Sequence, residues 1–161
     1  MTPQPHLLHR GGVVCFGGKH NDPDIGLKKE ERMPITYDIL DGGHYIHTVA
    51  TAPVTSEEFI EYEVTHAIDD RIKAPVSELF EIKHGACDNI TIDDMSEVLR
   101  IRKEVEKLPK PHRCALVVSP YDAHAWDLAK FYRGMVMLHS EENVIVFATP
   151  DIARIWLGVG D

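Results

Sequence analysis

Between residues 35 and 159 the sequence alternates short apolar runs with longer amphipathic stretches, in an order that leaves few folds open. Five runs predict β-strands and four stretches predict α-helices, in the order ββαβαβαβα. Each later strand is followed by a helix and then by another strand, which requires right-handed crossovers in a largely parallel sheet. The chain of 161 residues is long enough for one such domain. We therefore expect an α/β fold with a mixed five-stranded sheet flanked by four helices.

The first two strands are predicted to form a β-hairpin. Residues 35–40 and 44–50 alternate apolar and polar side chains, and the Asp-Gly-Gly stretch at 41–43 supplies residues that tolerate positive φ. The run 114–118 is uniformly apolar, which is typical of a central parallel strand covered on both faces. The other predicted strands are 76–84 and 143–148.

Hydroxyl side chains mark the predicted helix starts. Thr55 and Glu58 have the spacing of a capping box at the start of the first helix. Thr91, Ser119 and Thr149 follow the next three strands, and each is predicted to cap a helix by accepting a backbone N–H. We therefore interpret these hydroxyls as structural.

The formal net charge of −9 argues against electrostatic binding to nucleic acid or to an anionic membrane. Part of the excess acid lies in or beside the first helix, where we expect a solvated face rather than an acidic docking surface. The acidic residues concerned are Glu57, Glu58, Glu61, Glu63, Asp69 and Asp70. The second helix ends in basic residues that complement its dipole, among them Arg100 and Arg102.

The sequence also bears on localisation and domain limits. No stretch approaches the roughly 20 apolar residues of a membrane span, and the N-terminus lacks the continuous apolar segment of a signal peptide. We therefore predict a cytoplasmic protein with no membrane span. Residues 1–32 contain glycine pairs and are predicted to form a flexible N-terminal extension, followed by a folded domain at 33–161.

The cysteines and histidines give no metal or cofactor signature. Cys15, Cys87 and Cys114 have no CxxC spacing, so neither a disulfide framework nor a zinc knuckle is predicted. Cys114 lies in an apolar run and is predicted to be a buried thiol. The ten histidines form no HxH or HExxH motif, and we expect them to be scattered over the surface. The sequence therefore predicts no metal and no cofactor.

Several stretches of the chain resemble one family. They are Met33-Pro-Ile-Thr-Tyr, the hairpin through 42–43, Thr55-Ser-Glu-Glu-Phe, the strand 114–118 that leads into Ser119-Pro, and the ending 147–157. On these stretches the chain resembles the SpoIIAA-like proteins of the STAS and SEC14-like (CRAL-TRIO) group. The resemblance implies a SpoIIAA-like (STAS-like) domain at 33–161 and a role in signalling or protein binding.

The same resemblance singles out Thr91. In STAS regulators that antagonise anti-sigma factors, the helix after the third strand begins with Asp-Ser-Ser-Gly or a close variant, and its Ser is phosphorylated. The corresponding stretch here, 87–94, has no Ser-Gly pair, and Thr91 is its nearest hydroxyl. Thr91 is therefore a candidate phosphorylation switch. A phosphate there would lie at a helix N-terminus, which favours it, and beside Asp93 and Asp94, which repel it.

The third helix carries more apolar side chains than one face can bury. Trp126, Phe131, Tyr132 and Met135 extend around more than half of the helix. We predict that this candidate interaction surface combines core packing with a homodimer contact. A lipid or another small hydrophobic ligand, as the SEC14-like resemblance implies, is the alternative occupant.

An enzyme with a site at the carboxyl ends of the strands is a third hypothesis. His84, Asp88, Asp122 and His124 lie near predicted strand ends or helix starts, where acid or base chemistry would need them. Asp122 is better explained as the helix N3 partner of Ser119, and His124 as an exposed residue of the first turn. The chain has no GxSxG elbow, and we predict no catalytic residue.

These observations together predict a non-enzymatic cytoplasmic regulatory or protein-interaction module that docks through the surfaces around its second and third helices. An elongated internal pocket lined by Phe59, Phe131, Met135 and Trp156 would instead favour a carrier of a hydrophobic ligand. A pocket that gathers the acid and base side chains named above would favour an enzyme.

Overall fold

The computed structural model describes residues 33–105, 107, 109–110 and 112–160, so the predicted extension at 1–32 lies outside the described residues. The element order is ββαβαβαβα, which confirms the predicted α/β class. The strands are β1 (Ile35–Leu40), β2 (Tyr45–Ala50), β3 (Val76–Ile82), β4 (His112–Val118) and β5 (Asn143–Phe147). The helices are α1 (Ser56–Ala67), α2 (Ile92–Val105), α3 (Ala123–His139) and α4 (Pro150–Leu157). Among the described helices, none combines the length and the apolar character that crossing a bilayer requires.

The five strands form one sheet in the order β1-β2-β3-β4-β5, so each strand pairs with the next in sequence. β1 is antiparallel to β2, and the other pairs are parallel. Helices α1, α2 and α3 cover one face, where their apolar side chains pack with Phe80 and Leu116. Among the described elements, α4 covers the other face and packs with Leu79 and Ala115. The parallel strands follow one another across the sheet in sequence order, and their connections are right-handed. Because of this, the three connecting helices α1, α2 and α3 all lie on one side of the sheet.

Two of the predicted helix starts need correction. Thr91 caps α2 as expected, but α3 begins at Ala123, and its N-cap is Asp122 rather than Ser119. The hydroxyl of Ser119 instead accepts from the N–H of Tyr121 at 3.3 Å, within a turn that precedes the helix. Thr149 occupies the N-cap position of α4 without a side-chain capping bond. A Ser or Thr after a strand therefore indicates that a strand-to-helix connection begins there, but its hydroxyl does not always cap the helix.

The turn between β1 and β2 depends on positive φ angles. Asp41, Gly42 and Gly43 have φ values of 48°, 62° and 107°, which confirms the backbone predicted from the Asp-Gly-Gly stretch. Gly43 also lies close to the connection between α1 and β3. A Cβ atom at this position would lie 2.3 Å from the carbonyl oxygen of Arg71. Both the conformation and the close approach therefore require glycine at position 43.

Candidate functional site

The loops that follow β3 and β4 are held together at the carboxyl edge of the sheet. The carboxylate of Asp122 accepts backbone N–H bonds from Ala125 and from Gly85, each at 3.0 Å. Asp122 is buried, so the second bond fixes the β3–α2 loop against the start of α3. The largely exposed imidazole of His84 lies 3.7 Å from the same carboxylate. One N-cap residue thus positions two neighbouring loops.

The start of α2 is fixed in a similar way. Nε2 of His124 lies 2.8 Å from the carbonyl oxygen of Ile90, to which the protonated nitrogen donates. Thr91 Oγ1 accepts from the N–H of Asp94 at 3.1 Å, and the Asp94 carboxylate accepts from the Thr91 N–H at 2.8 Å and from its hydroxyl at 2.6 Å. Thr91 and Asp94 therefore form a reciprocal cap, and Thr91 remains exposed.

The cap gives a first prediction. Thr91→Ala is expected to destabilise the domain by about 1 kcal/mol, because it leaves a backbone N–H of the first turn without its acceptor. Thr149→Ala is the matched control, since Thr149 makes no side-chain capping bond, and its effect should be smaller than about 0.5 kcal/mol. Urea unfolding of both variants measures the difference. Equal losses would show that the Thr91 hydroxyl contributes nothing as a cap.

The exposed side chains of these loops form what we call the carboxyl-edge surface, which consists of His84, Thr91, Ile92 and Tyr121. Tyr121 is 90% exposed and Ile92 is 54% exposed. A crevice of about 440 Å³ adjoins this surface, between the loop after β4 and the loop after β5. The loop after β4 leads to α3 on one face of the sheet, and the loop after β5 leads to α4 on the other face. Ligands of open α/β sheets bind outside the carboxyl ends of the strands, where this crevice lies. Its lining includes Lys83, His84, Ser119, Pro120, Tyr121, Ala148, Thr149 and Pro150.

Two of the residues considered for acid or base chemistry are held by hydrogen bonds to backbone groups. His124 bonds to the carbonyl of Ile90, and Asp122 bonds to backbone N–H groups. His84 and Asp122, at 3.7 Å, lie beyond a direct hydrogen bond. Asp88 is exposed in the turn before α2. These contacts fix the loops, and His84 and Asp122 form a longer-range ion pair without a direct hydrogen bond.

The predicted interaction surface on α3 is divided between the core and the exterior. Tyr132 is buried, and its hydroxyl donates to a buried carboxylate on α1 at 3.2 Å. Trp126, Phe131 and Met135 are half-buried. Leu138, in the last turn, is 75% exposed. Tyr132 therefore belongs to the interior, and the other three predicted residues remain partly accessible.

A small apolar cavity lies between the sheet and helices α1, α2 and α3. Its volume is about 30 Å³, and its lining includes Phe59, Phe80 and Leu128. Pockets for small organic ligands are roughly ten times larger, about 300–1,000 Å³. Trp156 packs on the opposite face of the sheet from Phe59 and Phe131, so these side chains do not line one pocket. Phe59, Phe131, Met135 and Trp156 therefore do not line one common pocket among the described residues.

A network of buried charged side chains lies at the amino ends of β3, β4 and β5, opposite the carboxyl edge. The members of this buried polar network are Glu63, His66, Glu78, Arg102, His112 and Glu142. None of the six is more than 4% exposed. The expectations that Glu63 belongs to a solvated face and that all histidines lie on the surface are therefore wrong. Burial of this many ionisable groups requires that they compensate one another.

Glu78 is the centre of one half of the network. Its Oε1 accepts from the hydroxyl of Tyr62 at 2.8 Å, and its Oε2 accepts from Nε2 of His112 at 3.0 Å. Nε2 of His66 lies 3.5 Å from the same Oε2. Burial alone would raise the pKa of Glu78, but the two imidazoles and the hydroxyl hold it well below its usual range. Glu78 is therefore a buried carboxylate anion.

Arg102 is the centre of the other half. Its Nε lies 3.2 Å from Oε2 of Glu63, and its guanidinium also contacts Glu142. The guanidinium carbon lies 5.6 Å from the centre of the Tyr132 ring. Burial raises the pKa of Glu63 to about 7, because desolvation and the nearby carboxylates of Glu78 and Glu142 outweigh the attraction of Arg102 and the Tyr132 bond.

The raised pKa of Glu63 gives a second prediction. The folded protein holds this proton up to about pH 7. Stability from this group is therefore fully present below about pH 4.5 and is lost as the pH rises through 7. Glu63→Gln mimics the protonated form and should stabilise the domain at pH 8 by about 1–2 kcal/mol. Urea unfolding at pH 5 and pH 8 in metal-free buffer measures this gain, and a loss at pH 8 would contradict the prediction.

No protein-family model, curated protein or solved structure matches this chain. The resemblance to the SpoIIAA-like proteins therefore stays a prediction from the residues. Two features of the structure are therefore candidates for function. The carboxyl edge of the sheet has a pair of fixed loops with exposed apolar side chains. The opposite edge has the buried polar network.

Proposed function

We propose that this chain is a non-enzymatic cytoplasmic regulatory module that binds a protein partner through its carboxyl-edge surface. The observation that carries the proposal is Tyr121, which is 90% exposed on a loop fixed by Asp122. Tyrosines held in position contribute strongly to protein interfaces because they bury a large area with little loss of conformational freedom. The adjoining crevice has room for a side chain of the partner.

We further propose Thr91 as the position that regulates this docking. Its hydroxyl is exposed at the start of α2, next to the exposed Ile92. A phosphate there would add about two negative charges to the carboxyl-edge surface. It would also repel the Asp94 carboxylate, which accepts a hydrogen bond from the unmodified hydroxyl. Phosphorylation is therefore expected to loosen the cap and weaken docking.

A comparison of two surface variants tests the docking proposal. The wild-type full chain and its Tyr121→Ser and Leu138→Ser variants are each crosslinked to their binding partners in the native cells. The captured partner is then purified, and its affinity for each of the three proteins is measured by titration. Tyr121→Ser is expected to weaken binding at least about tenfold, as loss of an aromatic anchor does. Leu138, 75% exposed at the far end of α3, serves as the matched control and should leave binding unchanged. Equal affinity for the wild-type and Tyr121→Ser proteins would reject this surface.

The predicted homodimer has a separate candidate contact. Phe131, Met135 and Leu138 recur at helical spacing and share one side of α3, with Leu138 the most exposed. We propose that this side of α3 is the dimer contact. Sedimentation velocity over a concentration series should show Leu138→Ser shifted towards monomer and Tyr121→Ser unchanged. A wild-type protein that is monomeric at every concentration would reject the dimer.

A further inference from the structure

Two members of the buried polar network and a buried cysteine bring metal-ligating atoms together from different elements. A carboxylate oxygen of Glu78 on β3, Sγ of Cys114 on β4 and a carboxylate oxygen of Glu142 before β5 all lie within 4.8 Å of one another. All three residues are buried. Two carboxylates by themselves are explained by their contacts with His112 and Arg102. The thiol in the same small volume is not explained by those contacts.

His66 supplies an independent observation. It is 2% exposed, and neither ring nitrogen has a hydrogen-bond partner among the described residues. Its Nε2 lies 3.5 Å from Oε2 of Glu78, one of the three cluster residues. Buried polar atoms nearly always have a partner, because leaving one without a hydrogen bond costs about 1–3 kcal/mol. A cation at this position would give the imidazole its partner.

We propose that His66, Glu78, Cys114 and Glu142 bind one zinc ion. One thiolate, one imidazole and two carboxylates are ligands that Zn²⁺ accepts in a four-coordinate site, whereas Mg²⁺ and Ca²⁺ avoid sulfur. With zinc–ligand distances of about 2.0–2.3 Å, neighbouring ligand atoms lie roughly 3.3–3.8 Å apart. The ligand atoms of Glu78, Cys114 and Glu142, up to 4.8 Å apart, therefore need a contraction of up to about 1.5 Å, and Nε2 of His66 lies 3.5 Å from Oε2 of Glu78.

The surroundings of these four residues suit such an ion. Glu78 keeps hydrogen bonds from Tyr62 and His112, and Glu142 keeps its contact with Arg102, as carboxylate ligands of metals usually do. The two carboxylates and the thiolate carry three negative charges, which a divalent cation and Arg102 balance. The ion would link α1 to β3, β4 and the segment before β5. With four protein ligands and no exposed position, its role is structural, and its binding adds to folding stability.

A cobalt and zinc titration tests this proposal without any partner, so its outcome is independent of the proposed function. The full chain carrying Cys15→Ser and Cys87→Ser is stripped with EDTA, which leaves Cys114 as the remaining thiol. Co²⁺ should then give a thiolate-to-metal absorption band that saturates at one equivalent. Zn²⁺ should abolish this band and raise the unfolding temperature. A stripped, folded protein without the band and without stabilisation by Zn²⁺ would overturn the proposal.

Three further variants in the same background locate the site. His66→Gln and Cys114→Ala each remove a proposed zinc ligand. They should weaken Zn²⁺ binding by more than roughly 10–100-fold, the loss that is typical when only a hydrogen-bond partner of a ligand is removed. Circular dichroism in EDTA shows whether each variant is folded, and Cys114→Ala keeps the apolar character of its position. His139→Gln, which changes an exposed histidine on α3, should bind like the parent. Equal stabilisation of the parent and Cys114→Ala by Zn²⁺ would place the ion on surface histidines and overturn the proposal.

Discussion

Replacing Arg102 with alanine is expected to destabilise the folded domain by about 3–5 kcal/mol. Arg102 is 4% exposed, and its guanidinium contacts the carboxylates of Glu63 and Glu142. Removing it leaves the buried carboxyl groups of Glu63 and Glu142 without the guanidinium that contacts them. The loss is a large fraction of the total stability of a domain of this size, about 5–15 kcal/mol.

Arg100 provides a matched control on the same helix. It pairs with Glu97 and Glu104 at 2.7 Å each, but all three side chains are at least half exposed. Exposed pairs of this kind contribute about 0–1 kcal/mol. Urea unfolding of Arg100→Ala and Arg102→Ala should therefore differ by at least about 2 kcal/mol. Losses within about 0.5 kcal/mol of each other would contradict the assignment of Arg102 as the essential buried cation.

The second large effect is expected at Gly43. Gly43→Ala would place a Cβ 2.3 Å from the carbonyl oxygen of Arg71, on a residue whose φ is 107°. Backbone strain costs about 1–3 kcal/mol and overpacking a further 1–3 kcal/mol, so we expect a loss of about 3 kcal/mol or more.

Gly42→Ala is the control for this prediction. The φ at position 42 is also positive, at 62°, but a Cβ there meets nothing within 4 Å. Its cost should therefore be that of the left-handed conformation alone, about 1 kcal/mol. Thermal unfolding of the two variants separates strain from steric overlap. If both lost the same stability, the close approach to Arg71 would be of no consequence.

The strands and helices could be predicted because each has its own local pattern. β1 begins and ends where the alternation of apolar and polar residues does, and α1 begins after the capping box of Thr55 and Glu58. The predicted start of α3 at Ser119 was wrong, because two capping residues, Ser119 and Asp122, occur within four positions. Which of them caps the helix depends on the turn between them, and single-residue preferences do not determine that turn.

The buried polar network could not be predicted in the same way. Glu63 stands among exposed acidic residues, and Arg102 stands among basic residues at the end of α2. A signal was present, since Arg102 recurs at helical spacing with the buried Met95 and Val98. A charge on an apolar stripe indicates burial only when a partner with the opposite charge is known to face it. Here the partners are Glu63 on α1 and Glu142 just before β5. Both are distant from Arg102 in the sequence, so local patterns do not show that they face it.

The strand order has a consequence for how the chain folds during its synthesis. Every strand pairs with the strand that precedes it in the chain, so each new strand leaves the ribosome after its neighbour has already been made. The sheet can therefore grow in one direction, from β1 to β5, without waiting for later segments. Glu142 comes just before the last strand. The nascent chain thus carries Arg102 without Glu142, one of the carboxylates that it contacts, until the segment before β5 has been made.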